Sequence, residues 1–356
     1  MKTQMKTINK RDSSIEILRI IAMLMIILHH YTVYSGADKL YLLNNGFYFN
    51  TYLLQIATLG ELGVNIFVLI LGYYSVENSF SVKKVLKLEI QVIFYSIMGY
   101  ILLGNSFSLK ELLQNFMPLL FNKYWFYSVY MIIYMISPFI NSALRAMSRR
   151  GHFYIGAIMF LIWSIIPSFT LQNMYVNEVL WFLMLYVIAA YIRLYPDCKI
   201  HDKTRGGMMF GISFSIILLI TALFDILKDV WCFADYQTYF FSGKTVFAMI
   251  AAIGLFILFL NMKPFYNGII NALGACTFGV YLIHDNNYVR SLLWDKIFSN
   301  IQYAETNNLV FHILGSVIVI YIVCTLIEYL RMSFIEKRYL KVIAKIDTVL
   351  NIGAVV

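Results

Sequence analysis

Long apolar stretches separated by short polar breaks run along almost the whole chain, from residue 14 to residue 332. Each stretch is close to the roughly 20 residues that an α-helix needs to cross a bilayer. The pattern predicts ten spanning helices, near 14–34, 57–76, 85–104, 124–143, 153–171, 178–195, 207–226, 242–261, 267–288 and 308–332. We therefore expect an all-α, polytopic transmembrane helix bundle that forms one domain over residues 1–356. Within this domain, an N-terminal segment at 1–13 precedes the first helix and a C-terminal tail at 333–356 follows the last.

The basic residues support this segmentation. Of the 28 lysines and arginines, 20 fall on one side of the predicted membrane and 7 on the other, and Arg19, within the first helix, is counted on neither side. Cytoplasmic flanks collect positive charge, so both termini are predicted to be cytoplasmic. The net charge of +9 then matches anionic lipid at that surface, and the lipid bilayer is the expected partner. Nothing in this pattern points to a nucleic-acid partner.

Composition changes this picture little. The chain is 60% hydrophobic and 13% charged, and its mean hydropathy is +0.72. Its apolar share is well above the roughly 45–50% of soluble domains, as expected of a membrane protein. The four cysteines lie far apart, with no CxxC pair. No metal site, redox pair or disulfide framework is therefore predicted, and Cys276 and Cys324 are expected to be buried apolar residues.

A proline within the fourth predicted helix and two tryptophans near helix ends give further expectations. Pro138 is expected to kink the fourth helix or open it, with Asn141 bonding the carbonyls that are freed. Trp125 and Trp181 lie near helix ends, where indole rings favour the membrane interface, so they are interpreted as interfacial or packing residues.

Polar groups inside the first apolar stretch are the main functional signal. Arg19 and His30 are eleven positions apart, which in an α-helix is roughly 16 Å along the axis and about 20° around it. His29 lies about 80° to the other side, so a cleft lined by Arg19 would meet His30 and not His29. An ionisable group in mid-membrane costs about 2.5–3.5 kcal/mol on insertion scales and usually marks a functional interior. An arginine that reaches the headgroups and an interfacial histidine stay open as simpler interpretations.

Four further residues are placed at the same two depths by the predicted helix directions. Glu61 in the second helix and His284 in the ninth are expected near the level of His30, where a carboxylate could orient an imidazole. Lys84 and Lys87 open the third helix near Arg19, and such a cluster suits phosphate groups. A solvated helix cap for Glu61, an interfacial His284 and ordinary positive loop charge for the lysines remain open.

Five motifs in the chain carry a family resemblance. They are Arg19 and His30 with ten residues between them, "GVNIFVLILGYYS" in the second helix, "KYWFYSVYMIIYMISPFIN" in the fourth, "LWFLMLYVIAAYIR" in the sixth and "FGVYLIH" in the ninth. In this order, and over nearly the whole chain, the sequence resembles the acyltransferase 3 family of integral-membrane O-acyltransferases. Many members carry Asp where Asn65 stands and Ser where Leu71 stands, so we assign no chemistry to either position.

The resemblance implies ten spans with cytoplasmic termini in a bacterial plasma membrane. It implies transfer of an acyl group, usually acetyl from acetyl-CoA, to a hydroxyl of an extracytoplasmic polysaccharide or lipid-linked sugar, with His30 essential. Some relatives carry an additional extracytoplasmic domain. This chain ends about 24 residues after its last predicted span and resembles the stand-alone members.

These observations combine into one hypothesis. Arg19, Lys84 and Lys87 hold the phosphates of acetyl-CoA, and His30 acts as general base or transient acyl carrier, with Glu61 and His284 as candidate catalytic partners. The main competing hypothesis is a transporter or flippase for a glycan or acyl intermediate, which predicts flux without covalent change. A glycosyltransferase or polymerase and a non-catalytic sensor are two further hypotheses.

Overall fold

The computed structural model describes residues 11–37, 40, 47–104, 106–172, 176–197, 201–227 and 238–350, with side chains described up to residue 344. Cys198 and Cys232, both termini, and several of the lysines counted above lie outside the described residues. The side of the membrane on which the termini lie therefore stays a prediction. The described residues are mostly helical and form no β-strand.

All ten predicted segments form helices. Eight are long and apolar enough to cross a membrane, and the other two have 17 residues each, at the lower end of the range for a span. The helices are α1 (Ser13–Val33), α2 (Phe49–Ser75), α3 (Val82–Leu103), α4 (Trp125–Ala146), α5 (Arg149–Thr170), α6 (Glu178–Leu194), α7 (Lys203–Leu227), α8 (Tyr239–Leu260), α9 (Gly268–His284) and α10 (Leu309–Ala344).

α1 lies at the centre of the bundle and packs against α2, α8, α9 and α10. Residues on several faces of α1 are buried, because its neighbours cover different faces of the helix. The crossing with α2 is very close: a Cβ atom on Gly63 would lie 2.3 Å from the backbone oxygen of Ala22. Small residues that let backbones approach are typical of helix contacts in membranes.

The outer helices expose apolar side chains. Leu219 on α7 and Phe311 on α10 are 70% and 78% exposed, as suits helices that face lipid. Cys276 and Cys324 are buried free thiols, as the sequence predicts. The bundle thus has an apolar rim around a core that contains the polar groups.

α4 is continuous through Pro138. Proline removes the bond that its own N–H would make to the carbonyl of Tyr134, and the Ser137 hydroxyl donates to that oxygen at 2.7 Å instead. The prediction for Asn141 is wrong. Its amide donates to the Ser75 carbonyl of α2 and accepts from the Tyr186 hydroxyl of α6, so it joins three helices.

α2 is longer than predicted and has a break inside it. The segment Phe49–Ala57 leads into a 3₁₀ turn at Thr58–Gly60, and the helix resumes at Glu61. A Cβ atom on Gly60 would lie 2.2 Å from the Cβ of His29. Only a glycine lets the turn approach α1 this closely, which places Glu61 beside the end of α1.

Candidate functional site

The centre of the site is a pair of histidines on two helices. His30 of α1 and His284 of α9 are joined by a hydrogen bond of 2.9 Å between Nδ1 and Nε2. Both side chains are buried, with 7% and 0% of their surface exposed. The sequence placed the two residues at one depth, and the structure brings them into direct contact.

The hydrogen bonds of this pair determine where its protons lie. Nδ1 of His284 is 2.6 Å from the carbonyl oxygen of Val280, which can only accept, so this nitrogen carries the proton. In a neutral ring Nε2 of His284 is then an acceptor, and Nδ1 of His30 donates to it. Nε2 of a neutral His30 is therefore left with its lone pair. This is the tautomer that a general base requires.

A charged pair next to the histidines completes their surroundings. The Oδ1 atom of Asp285 lies 3.7 Å from Nδ1 of His30 and accepts from the Tyr34 hydroxyl at 2.7 Å. The Arg290 guanidinium donates to the same oxygen at 3.0 and 2.9 Å and lies over the Tyr34 ring. Asp285 is thus a buried carboxylate that is neutralised by Arg290 and faces the imidazole of His30.

The loop that carries Asp285 and Arg290 is anchored from outside the bundle. Tyr288 donates to Glu111 at 2.5 Å and accepts from Asn115, both on the short helix Leu109–Phe116. Burial and the hydrogen bond to Glu111 raise the pKa of Tyr288 to about 12, so its hydroxyl keeps its proton at neutral pH. The short helix therefore fixes the loop behind the histidines.

A cavity of about 250 Å³ runs from Arg19 to His30 along one face of α1, and we call it the Arg19 cavity. Arg19, Met23, Ile26 and His30 all line it, as expected for one helical face. Its middle is apolar, with side chains from α2, α4 and α9 that include Val64, Phe67, Leu71, Phe126 and Phe278. His29 does not line it, which agrees with the predicted geometry.

Two cations lie at the Arg19 end of this cavity. Arg19 is 28% exposed, its Nη1 lies 3.8 Å from Glu16, and its Nε has no hydrogen-bond partner within the described part of the chain. Lys84 lies with its ammonium 4.3 Å from the centre of the Tyr134 ring. No acidic side chain is among the described residues that line the cavity. A guanidinium with a free N–H and a nearby ammonium suit a phosphate group.

A second cavity of about 470 Å³ lies at the other end of α1, and we call it the Glu61 cavity. Its polar wall contains Glu61, Glu178, Lys244, Ser242 and Asn122. Trp125 and Trp181 line it with ring centres 6.4 Å apart and planes 17° apart. The two indoles therefore form one wall of this cavity, which agrees with the expected packing role.

Glu61 does not contact His30. Its Oε2 accepts from the backbone N–H of Gly243 at 2.7 Å and from the Ser242 hydroxyl at 3.1 Å. Asn65, one turn later, donates to the Gly243 carbonyl at 2.8 Å, so the two side chains bond the N–H and the C=O of the same residue. A Cβ atom on Gly243 would lie 2.7 Å from the Trp181 ring, so only glycine fits. Residues 242–245 form a turn near the start of α8, and Glu61 thus fixes the turn that carries Lys244.

His29 has a structural partner. Its Nδ1 lies 2.7 Å from the carbonyl oxygen of Thr58, which leaves Nδ1 as the donor. The bond holds the 3₁₀ turn of α2 against α1, and the rest of the ring lines the Glu61 cavity. The two adjacent histidines therefore differ in surroundings, since only His30 reaches the Arg19 cavity.

The two cavities meet at four shared residues, Ile26, His30, Val64 and Trp125. His30 is the one of the four that can accept a proton.

A family model described as an acyltransferase domain matches residues 12–329. The chain belongs to the acyltransferase 3 family. Neither a search of curated proteins nor a search of solved structures gave a match.

The protein is therefore a multi-pass membrane acyltransferase.

The structure does not bring together all of the site residues that the sequence predicts for this acyltransferase. Lys87 is not among the described residues that line the Arg19 cavity. Its ammonium pairs with Glu336 at 2.5 Å. Glu336 in turn pairs with Arg331 at 2.5 Å, and Arg331 with Glu328 at 2.8 Å. Lys87 is the partly exposed end of an ion network between α3 and α10 whose other members, Glu328, Arg331 and Glu336, are buried.

Sequence reasoning also missed partners of the histidines. Arg290 lies between α9 and α10, and Tyr34 is the last residue of the first predicted span, so the sequence pattern singles out neither of them. Asp285 directly follows His284 in the chain and so shares its predicted depth, but the sequence gives it no role. The signal that could have found the group is the juxtaposition "HD" directly after an apolar helix, followed five residues later by an arginine.

Proposed function

We propose that this acyltransferase moves an acetyl group from acetyl-CoA in the Arg19 cavity to a hydroxyl of an extracytoplasmic glycan in the Glu61 cavity. The acceptor would be a capsular polysaccharide, an exopolysaccharide or a lipid-linked sugar unit at a bacterial plasma membrane. The observation that carries the proposal is that His30 lines both cavities. One base can then serve two substrates that arrive from opposite ends of α1.

The donor fits the Arg19 cavity by its chemistry. The phosphates of acetyl-CoA would lie at Arg19 and Lys84, and the pantetheine arm would follow the apolar middle to His30. The roughly 16 Å between Arg19 and His30 along α1 is comparable to the reach of an extended pantetheine arm. One face of α1 would thus hold both ends of the donor.

The chemistry at His30 is a general-base acyl transfer. Nε2 of His30 takes the proton of a sugar hydroxyl as its oxygen attacks the thioester carbonyl carbon. The C–S bond then breaks, and the departing thiolate takes the proton back from the imidazolium. The products are the O-acetyl sugar and CoA with a free thiol. Asp285, 3.7 Å away, stabilises the imidazolium while it exists.

The proposal is tested with purified protein in nanodiscs, acetyl-CoA and the host's surface polysaccharide, with O-acetyl groups measured by NMR. We expect Arg19→Gln to raise KM for acetyl-CoA by about 10- to 100-fold, since a hydrogen bond to a charged group contributes about 1.5–3 kcal/mol. Lys83→Gln is the matched control, because Lys83 is an exposed cation one residue before Lys84. Unchanged KM in Arg19→Gln would contradict the donor assignment.

A transporter or flippase would give a different result in the same assay. It would move an unmodified substrate across the membrane, and the polysaccharide would gain no mass. Loss of O-acetyl signals from host cells that lack this chain, together with acetyl transfer by the purified protein, favours the enzyme. Flux without any acetylated product would overturn the proposal.

His284 is assigned a positioning role, because its Nδ1–H donates to the Val280 carbonyl, and a backbone carbonyl does not pass a proton on. We expect His284→Ala to lower kcat by about 10- to 100-fold, from loss of a buried hydrogen bond of about 1–3 kcal/mol. KM for acetyl-CoA should stay unchanged. His284→Gln, whose amide oxygen can accept from Nδ1 of His30, should recover part of kcat. A parallel rise in KM would instead indicate a packing defect.

A further inference from the structure

We propose that the Glu61 cavity selects a neutral sugar ring and excludes sugars that carry a carboxylate or phosphate, an inference that rests on the proposed function. The cavity volume of about 470 Å³ lies within the range of small-molecule sites. Three features of its wall support the inference: an aromatic surface, an unpartnered donor and the balance of charges.

The aromatic surface is made by Trp125 and Trp181. A sugar ring has apolar C–H faces and polar edges, so it packs on an indole while its hydroxyls stay free to bond. Trp125 also lines the Arg19 cavity beside His30. A ring held on Trp125 would therefore have an edge hydroxyl near the base.

The unpartnered donor is the indole nitrogen of Trp181. The residue is only 1% exposed, yet its Nε1 has no hydrogen-bond partner within the described residues. Buried donors without partners are rare in native proteins, and each calls for an explanation. Since Trp181 lines the Glu61 cavity, a hydroxyl of a bound sugar is the acceptor that we propose for this N–H.

The charges of the wall disfavour an anion. Glu61 and Glu178 line the cavity, and Lys244 is the one lysine or arginine among its described lining residues. Lys244 lies 3.3 Å from Glu178, with its ammonium 5.4 Å from the centre of the Trp181 ring. The wall thus carries one more carboxylate than cations. A sugar carboxylate would lose its hydrating water and would be repelled by the excess negative charge of the wall. Neutral hydroxyls, in contrast, can donate to Glu178 and accept from Lys244.

The Arg19 cavity has the opposite sign. Its described lining contains Arg19 and Lys84 and no acidic residue. The two cavities that meet at His30 are therefore sorted by charge: a polyanionic donor suits one and a neutral acceptor suits the other. This sorting would keep CoA phosphates out of the acceptor side.

The first experiment compares acetyl transfer from acetyl-CoA to an alkyl glucoside and to the glucuronide with the same alkyl group. We expect the wild type to favour the glucoside in kcat/KM by about tenfold or more, as one like charge at a few ångströms requires in partly wet surroundings. Glu178→Gln should reduce this ratio, and KM for acetyl-CoA should not change. Equal use of both sugars by the wild type, or an unchanged ratio in Glu178→Gln, would overturn the inference.

The second experiment separates the inference from the proposed function, because it needs no reaction. Tryptophan fluorescence is titrated with the same two sugars in the absence of acetyl-CoA. Quenching by the glucoside alone, lost in Trp125→Phe and kept in Trp163→Phe, supports the neutral site even if no acetyl transfer is found. Trp163 is the matched control, a half-buried tryptophan outside the Glu61 cavity. No quenching by the glucoside, or quenching by both sugars alike, would overturn the inference.

Discussion

Replacing His30 with alanine is expected to abolish measurable acetylation of the glycan. A positioned general base contributes typically about 10²- to 10⁴-fold to a rate, and His30 is the residue with a free ring nitrogen where the two cavities meet. The measurement is O-acetyl content by NMR, together with acetyl transfer by the purified variant. The variant should still insert into the membrane and keep its thermal unfolding midpoint within a few degrees.

His29→Ala is the internal control for this experiment. His29 is the same residue type at the next position, but its Nδ1 holds the Thr58 carbonyl. We expect loss of one hydrogen bond, about 0.5–1.5 kcal/mol of stability, and a much smaller loss of activity. Equal loss of activity in both variants would contradict the hypothesis that only the face of α1 with His30 serves the reaction. Full activity in His30→Ala would remove the histidine from the mechanism.

Replacing Glu328 with alanine is expected to destabilise the bundle by about 3–5 kcal/mol. The Glu328 carboxylate accepts from Gln91 at 3.0 Å, from Tyr95 at 2.7 Å and from two nitrogens of Arg331 at 2.8 Å. Arg331 is only 3% exposed, so removal of Glu328 leaves a cation in the bundle with less compensation. Thermal unfolding of the purified protein in detergent measures the loss.

Two companion variants make the Glu328 result specific. Glu305→Ala removes a carboxylate from an exposed position and should change stability by less than about 0.5 kcal/mol. Glu328→Gln keeps the shape and two of the acceptor contacts, so its loss should lie between the other two. A stability of Glu328→Ala equal to that of Glu305→Ala would show that the network is not needed for the packing of α3 on α10.

The part of the site that could be predicted from the sequence is the part that follows helix periodicity. Arg19 and His30 share a face because eleven residues are close to three whole turns, and the cavity follows that face through Met23 and Ile26. The depth of His284 followed in the same way from the direction of α9. Regular geometry along one helix, and alternation of direction between helices, are both local rules.

The rest depends on which side chains meet across helices, and spacing along the chain does not determine that. Glu61 lies at the right level but accepts from the Gly243 N–H of α8, at a helix start that directly follows the 3₁₀ turn at Thr58–Gly60. Lys87 lies one turn from Lys84 but points to Glu336, since the π-helical turn at Met332–Glu336 brings that carboxylate beside α3. Such irregular turns leave little trace in a hydropathy pattern.

The position of His30 between two cavities has a consequence for the membrane as a barrier. On the proposed function neither substrate crosses the bilayer, since each reaches the same imidazole from its own end of α1. Only a two-carbon fragment would then change sides, by exchange of one covalent bond for another. The cell would then export acetyl groups while the nucleotide carrier stays in the compartment that recharges it, and no ion-conducting path need open at any stage of the cycle.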